Sequence, residues 1–173
     1  METIDIINER NEVIGQTTKD EAHKEGILHR VVAILLCNDK GEYFIPSGSA
    51  TKPGEEGKLY HSAAGHVMSG ETYLQAASRE LREETNIHID EKYFSFLGEY
   101  QFEATRAGKQ INERFEVYKT EYRESLGDII LNDEQVDGQW LTLENLMELN
   151  TDTPEIFSGP LKVSCDMFFS LKK

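Results

Sequence analysis

The chain is poor in the residues that brace small scaffolds. It has two cysteines, Cys37 and Cys165, far apart in the sequence, so neither a disulfide framework nor a close-spaced zinc ligand set is indicated, and both read as core residues. Positive charge is scarce too: 18 Lys and Arg stand against 32 Asp and Glu, a net charge of −14 with a pI of about 4.7. Such a chain has no long-range attraction for nucleic acid or for an anionic membrane surface, and neither is expected as a partner. An anionic small molecule would need a metal ion to approach it. No apolar run nears the ~20 residues of a membrane helix, and the N-terminus has no basic stretch followed by an apolar one, so a cytoplasmic location is expected.

What remains reads as a single α/β domain over residues 1–173, a length that can bury a real core. TIDIINERNEVIG alternates apolar residues about Asn8-Glu9-Arg10-Asn11 and reads as a hairpin. Thr18 and Glu21 form a capping-box pattern for a short helix ending at Gly26. Residues 1–25 are therefore an N-terminal extension, compatible with a dimer element or with packing on their own domain. HRVVAILLC, from His29 to Cys37, is a buried strand with a return strand at EYFIP. Residues 47–58 form a Gly- and Ser-rich loop of functional length. LYHSAA reads as a short strand leading to a helix, KYFSFLGEYQFEA and INERFEVYKTEY as two long strands, and QVDGQWLTLENLMEL as a strand and a helix capped by Thr142. Leu161, Cys165, Phe168 and Phe169 mark a closing amphipathic helix. Strands and helices intersperse without a repeat, which points to a mixed sheet.

The most informative segment is GHVMSGETYLQAASRELREETNI, residues 65–87. Thr72 and Gln75 offer a capping box, and Asn86 suits a left-handed helix end. Glu80, Glu83 and Glu84 fall within one turn near the helix C-terminus, where they repel one another and the macrodipole disfavours each by several tenths of a kcal/mol. Arg79 can pair with Glu83, but one guanidinium does not neutralise three carboxylates. A divalent cation would turn the repulsion into a binding site, because hard cations take carboxylate oxygens.

The spacing of Gly65, Glu71, Arg79, Glu80, Leu81, Glu83, Glu84 and Ile87 resembles the Nudix box, G-x5-E-x7-R-E-U-x-E-E-x-G-U with U aliphatic. Its charged and glycine positions would coincide by chance on the order of once in ten million placements at average usage. Asn86 stands where the family has glycine, a change a left-handed turn tolerates. The resemblance implies an α/β/α sandwich with a mixed β-sheet that binds Mg²⁺ or Mn²⁺ and hydrolyses a diphosphate joined to a group X, such as a nucleoside diphosphate derivative. It implies that Glu80, Glu83 and Glu84 supply metal carboxylates, with the carbonyl of Ala64 as a further ligand. Arg79 would orient a glutamate, and Glu71 would support the loop or reach metal through water. A general base may come from the box or from a distal loop, where Glu113 and Glu116 are the candidates.

DIINERNEVIG, LHR, NDKGE, SATKPG, SAAGHV, DEQVDGQW and TPEIFSGPL together resemble the branch that includes isopentenyl-diphosphate isomerases. Isomerases of that branch use a cysteine in a C-x-H stretch, where this chain has Ala64-Gly65-His66. His23, His29 and His66 resemble their metal histidines with the first spacing off by one, and Ile111 stands where they have a metal-binding glutamate. Hydrolysis is therefore expected over isomerisation. It is also expected over a noncatalytic ligand-binding module, since the box glutamates are all present. Relatives place diphosphate-binding arginines where this chain has Ser47 and Gly48. Arg30, Lys52, Tyr60 and His66 are the substrate-binding candidates. Arg30 can equally serve as a structural partner of a box carboxylate. Specificity should lie in residues 47–58, residues 104–111 and the last helix.

Overall fold

The computed structural model describes residues 2–51 and 54–169. Its organising element is β3 (His29–Cys37), whose nine residues are nearly all buried because both faces are covered by helices. One edge of β3 pairs in parallel with β7 (Lys109–Glu121) along its whole length, from His29 opposite Glu113 to Cys37 opposite Glu121. The other edge meets three strands in succession. At His29 it meets β1 (Thr3–Ile7), which forms a hairpin with β2 (Val13–Thr18). At Val31–Ile34 it meets β5 (Ala63–His66), and at Cys37 it meets β4 (Tyr43–Gly48). β6 (Ser95–Arg106) completes the sheet beyond β7, and β8 (Gln135–Leu141) beyond β4.

Period-two alternation then divides the core. Val32, Ile34 and Leu36 face Ala76, Ala77 and Leu81 of α2 (Tyr73–Thr85). Val31, Ala33 and Leu35 face Leu146 of α3 (Leu143–Asp152) and Leu161 and Cys165 of α4 (Gly159–Phe168). The result is an α/β/α sandwich around a mixed sheet. Cys37 and Cys165 are buried thiols within one cluster, and burial pushes the Cys165 thiol up to about 12. Among the described residues no helix is long and apolar enough to cross a membrane.

Two local expectations shift. α1 (Lys19–Glu25) is capped by Thr18, whose side chain accepts from the Glu21 amide, and ends at left-handed Gly26. The reciprocal half of its capping box is absent, because the Glu21 side chain turns to Lys24. The short strand expected in LYHSAA begins only at Ala63. At residue 62 a side chain replaces the ladder: Ser62 Oγ accepts from the Leu36 amide at 2.7 Å and donates to the Phe44 carbonyl at 2.6 Å.

Candidate active site

α2 forms as its ends dictate. Thr72 and Gln75 satisfy each other's amides in a complete capping box, and Asn86 closes the helix with φ 62°. Burying Ala76, Ala77 and Leu81 against the sheet places Glu80 and Glu84, on the adjoining face, in buried positions as well, while Glu83 remains exposed. Gly65 faces the helix, and a β-carbon there would lie 2.1 Å from the Glu80 carboxylate carbon. The glycine is therefore the space that the Glu80 carboxylate occupies.

Arg79 binds this group together through all five of its N–H donors. Nε and Nη2 hold Glu71 at 2.8 and 2.9 Å, Nη2 also reaches the His66 carbonyl at 2.9 Å, and Nη1 is shared between Glu80 at 2.7 Å and Glu83 at 3.3 Å. The guanidinium holds the Glu71 carboxyl below its usual range, and Glu71 also accepts from the Met68 amide. Burial outweighs Arg79 at Glu80 and pushes that carboxyl up. Glu84 Oε2 accepts from the Ala64 amide at 3.2 Å and from Gln135 Nε2 at 2.9 Å. Three carboxylates thus share one saturated guanidinium and a fourth, Glu84, is held by amides, a donor set whose excess negative charge and oxygen chemistry fit a hard divalent cation. Glu80, Glu83, Glu84, Ala64 and Gly65 all line one cleft of about 530 Å³.

A second donor set opens on the same cleft. His29 and Glu113 are register partners of parallel strands, and His66 lies opposite Val31 across β3 and β5, so alternation directs all three side chains to one face. His23 of α1 completes the group. One ligand atom from each of His23, His29, His66 and Glu113 lies within 4.8 Å of every other. Glu113 Oε1 is 3.3, 3.8 and 3.7 Å from the Nε2 atoms of His23, His29 and His66. Burial lowers the His29 ring and holds His66 well below its usual range. His29 Nδ1 donates to the Ile27 carbonyl at 2.7 Å, which leaves the Nε2 lone pair of the neutral ring buried without a hydrogen bond. Three imidazoles and a carboxylate suit a borderline transition metal better than Mg²⁺. The Glu113 carboxylate therefore faces imidazoles. Glu116, one residue out of phase, lies on the opposite face and accepts from the Tyr118 hydroxyl.

The remaining sequence candidates separate. His66 and Tyr60 line the cleft. Tyr60 donates to Glu55 at 2.6 Å, and burial raises its phenol. Lys52 lies outside the described residues. Arg30 is not brought to the cleft: its even position in β3 turns it toward α2, where it donates to Asn11 Oδ1 at 2.7 Å and to the Asn11 carbonyl at 2.6 Å beside the Tyr73 ring. Its structural partner is the hairpin turn rather than a box carboxylate. Sequence reasoning passed over buried Glu55, Gln135 and His61, all at or next to the cleft. Only tertiary packing distinguishes them from ordinary loop and strand residues. His61 is enclosed at 2.8 Å from Ser164 Oγ, and burial alone lowers its ring to about 3.

A mixed sheet between helices, with a carboxylate-rich helix set beside a glycine strand end over a cleft, places the chain in the α/β/α sandwich class. Residues 27–158 match the NUDIX domain family model, and the chain belongs to the Nudix family. It is 35% identical over 147 residues to a Nudix hydrolase of Deinococcus radiodurans, covering 84% of this chain and 82% of that one. A crystal structure of a Deinococcus radiodurans protein superposes with a TM-score of 0.76 at 30% identity, over 98% of this chain and 100% of that one. The chain is also 27% identical over 167 residues to an isopentenyl-diphosphate delta-isomerase of Photorhabdus laumondii, covering 91% and 86% of the two, in accord with the branch resemblance.

Proposed function

We propose that this chain is a divalent-metal-dependent pyrophosphohydrolase that cleaves the diphosphate bond of a nucleoside diphosphate linked to X, or of a related organic diphosphate. The observation that carries the reading is the gathering of Glu80, Glu83 and Glu84 on a cleft around an arginine with no donor left to offer. Glu80, Glu83 and Glu84 would hold Mg²⁺ or Mn²⁺ with the Ala64 carbonyl. Glu71 supports the loop through Arg79 and the Met68 amide. When bound, the metal withdraws charge from the diphosphate and makes water a competent nucleophile.

The chain's own residues do the rest. Arg79 fixes the rotamers of Glu80 and Glu83, and the Ala64 amide and Gln135 fix Glu84, so the carboxylates are oriented before substrate arrives. A box carboxylate accepts the proton of the attacking water as its oxygen bonds to phosphorus and the bridging P–O bond breaks, and the proton passes to the leaving phosphate. Glu113 serves the imidazole cluster instead, where His23, His29 and His66 would hold a second, softer ion. His66 and Tyr60 border the substrate. Isomerisation lacks its acid: Ala64 carries no thiol, and both cysteines are core residues.

A panel of nucleoside diphosphate derivatives and prenyl diphosphates, incubated with and without Mg²⁺, tests the reading. Metal-dependent release of phosphate or a monophosphate, lost in Glu83→Gln and Glu84→Gln, is the expected result. Tight binding without turnover across the panel would make the chain a ligand-binding module.

A further inference from the structure

Hydrolysis of a diphosphate by so acidic a chain needs cations for those substrate oxygens that the metal does not cover. Among the described residues, Lys19, Arg79, Arg106 and Lys109 are the lysines and arginines that line the cleft. Arg79 is saturated by its carboxylates and the His66 carbonyl. Lys19 stands 3.8 Å from Glu2. Among the described residues Lys109 has no such partner, and Arg106 is engaged on one side of its fork only.

These two residues end β6 and begin β7, and they pair directly across the ribbon. The intervening turn has two residues, both left-handed, with Ala107 at φ 50° and Gly108 at φ 78°. That is the geometry of a type I′ hairpin, which forces the flanking residues into register. Like charges directly opposite on a ribbon are destabilising, and a non-glycine residue in the left-handed region adds strain. The fold accepts both costs to hold two cations side by side at the mouth of a cleft. Arg106 is also anchored. Its Nε stands 3.3 Å from Oε1 of Glu55, a buried carboxylate that is itself held by the Tyr60 hydroxyl and by Lys58. That contact engages only the Nε side of the fork. The Nη groups of Arg106 and the Lys109 ammonium make no hydrogen bond or ion pair with any other described residue.

We propose that Arg106 and Lys109 are the phosphate-binding cations of this site, and that Glu55 positions Arg106 so that its free guanidinium edge meets phosphoryl oxygens in the cleft. The assignment rests on the pyrophosphohydrolase reading. It gives the hairpin tip the positive charge that Ser47 and Gly48 do not supply. A guanidinium fork matches phosphate oxygens in pairs, and the neighbouring ammonium adds a point charge.

The test uses methylenediphosphonate, the uncleavable form of the unit common to every substrate of the class, titrated calorimetrically into the full chain with Mg²⁺. Arg106→Gln is expected to raise Kd about tenfold and the double variant with Lys109→Gln about thirtyfold or more, with a shallower dependence on salt. Lys109→Gln, at an exposed position, should leave the melting temperature unchanged, whereas Arg106→Gln should lower it modestly through the lost Glu55 contact, so binding is compared at a temperature where every variant is folded. Arg123→Gln, which removes an exposed cation paired with Glu121 at 3.0 Å, should bind as the wild type does. A double variant within threefold of a wild type that binds the probe overturns the assignment and leaves the hydrolase reading intact. A wild type that neither binds the probe nor turns over any member of the diphosphate panel overturns both.

Discussion

Replacing Gly65 by alanine separates what the site needs from what the fold needs. The new methyl carbon would lie 2.1 Å from both the Cδ and Oε1 of Glu80 and 2.4 Å from Oε2. Ordinary carbon contacts begin near 3.5 Å, so the carboxylate must retreat by about 1.4 Å. It sits at the far end of a flexible side chain, and swinging aside costs mainly the 2.7 Å bond to Arg79, about 1.5–3 kcal/mol before any replacement bond forms. In a chain of this size that corresponds to a melting point lower by about 3–12 °C. The chemistry has no such latitude, because a displacement of about 1 Å in a positioning group costs on the order of 100-fold in rate. Gly65→Ala should therefore remain folded while kcat for Mg²⁺-dependent phosphate release falls about 100-fold. Steady-state kinetics on the best substrate of the diphosphate panel, beside a thermal melt, measure both. Turnover within threefold of wild type would refute the argument that Glu80 acts from the place Gly65 clears for it.

Asn86→Gly should stabilise the chain by up to about 1 kcal/mol without changing activity, since glycine adopts φ 62° at less cost; chemical denaturation reads it, and a loss of stability counts against the cap account. Arg30→Ala should cost about 1–3 kcal/mol through its Asn11 bonds and leave KM unchanged, and a raised KM would place Arg30 in substrate binding after all. His61 carries a proton in the unfolded chain below about pH 6.5 but not in the native one until about pH 3, so its contribution to stability is complete above pH 6.5 and is lost progressively as pH falls. At pH 5 the loss is about 2 kcal/mol, and the stability gap between wild type and His61→Asn should narrow by that amount between pH 7.5 and pH 5 in urea unfolding. A gap independent of pH would mean that His61 is hydrated.

Local chemistry was legible wherever one residue's environment is its own neighbourhood. Thr72, Gln75 and Asn86 cap α2 as their types require, Thr142 caps α3 by accepting from the Asn145 amide, and His29–Cys37 is a strand to the residue. The acidic helix could be singled out as a candidate cation site because repulsion within one turn is a property of spacing alone. Arg30 could not be assigned from its type, since a guanidinium suits a carboxylate, a carbonyl or a phosphate equally, and only the face of β3 decides which it meets. The strand before α2 started late for a similar reason: the Ser62 hydroxyl competes with the backbone ladder only once β3 and β4 flank it.

By itself, then, the sequence determined the helix that carries the carboxylates, its caps, the glycine beside it and the order of strands, because these depend on contacts within a few residues. Tertiary structure alone decided that Glu113 faces three imidazoles, that Arg79 has no free donor, and that Arg106 and Lys109 lean over the cleft beside Glu55. Those relations join residues tens of positions apart, and the direction of each side chain is settled by strand register and burial, which the order of residue types does not carry.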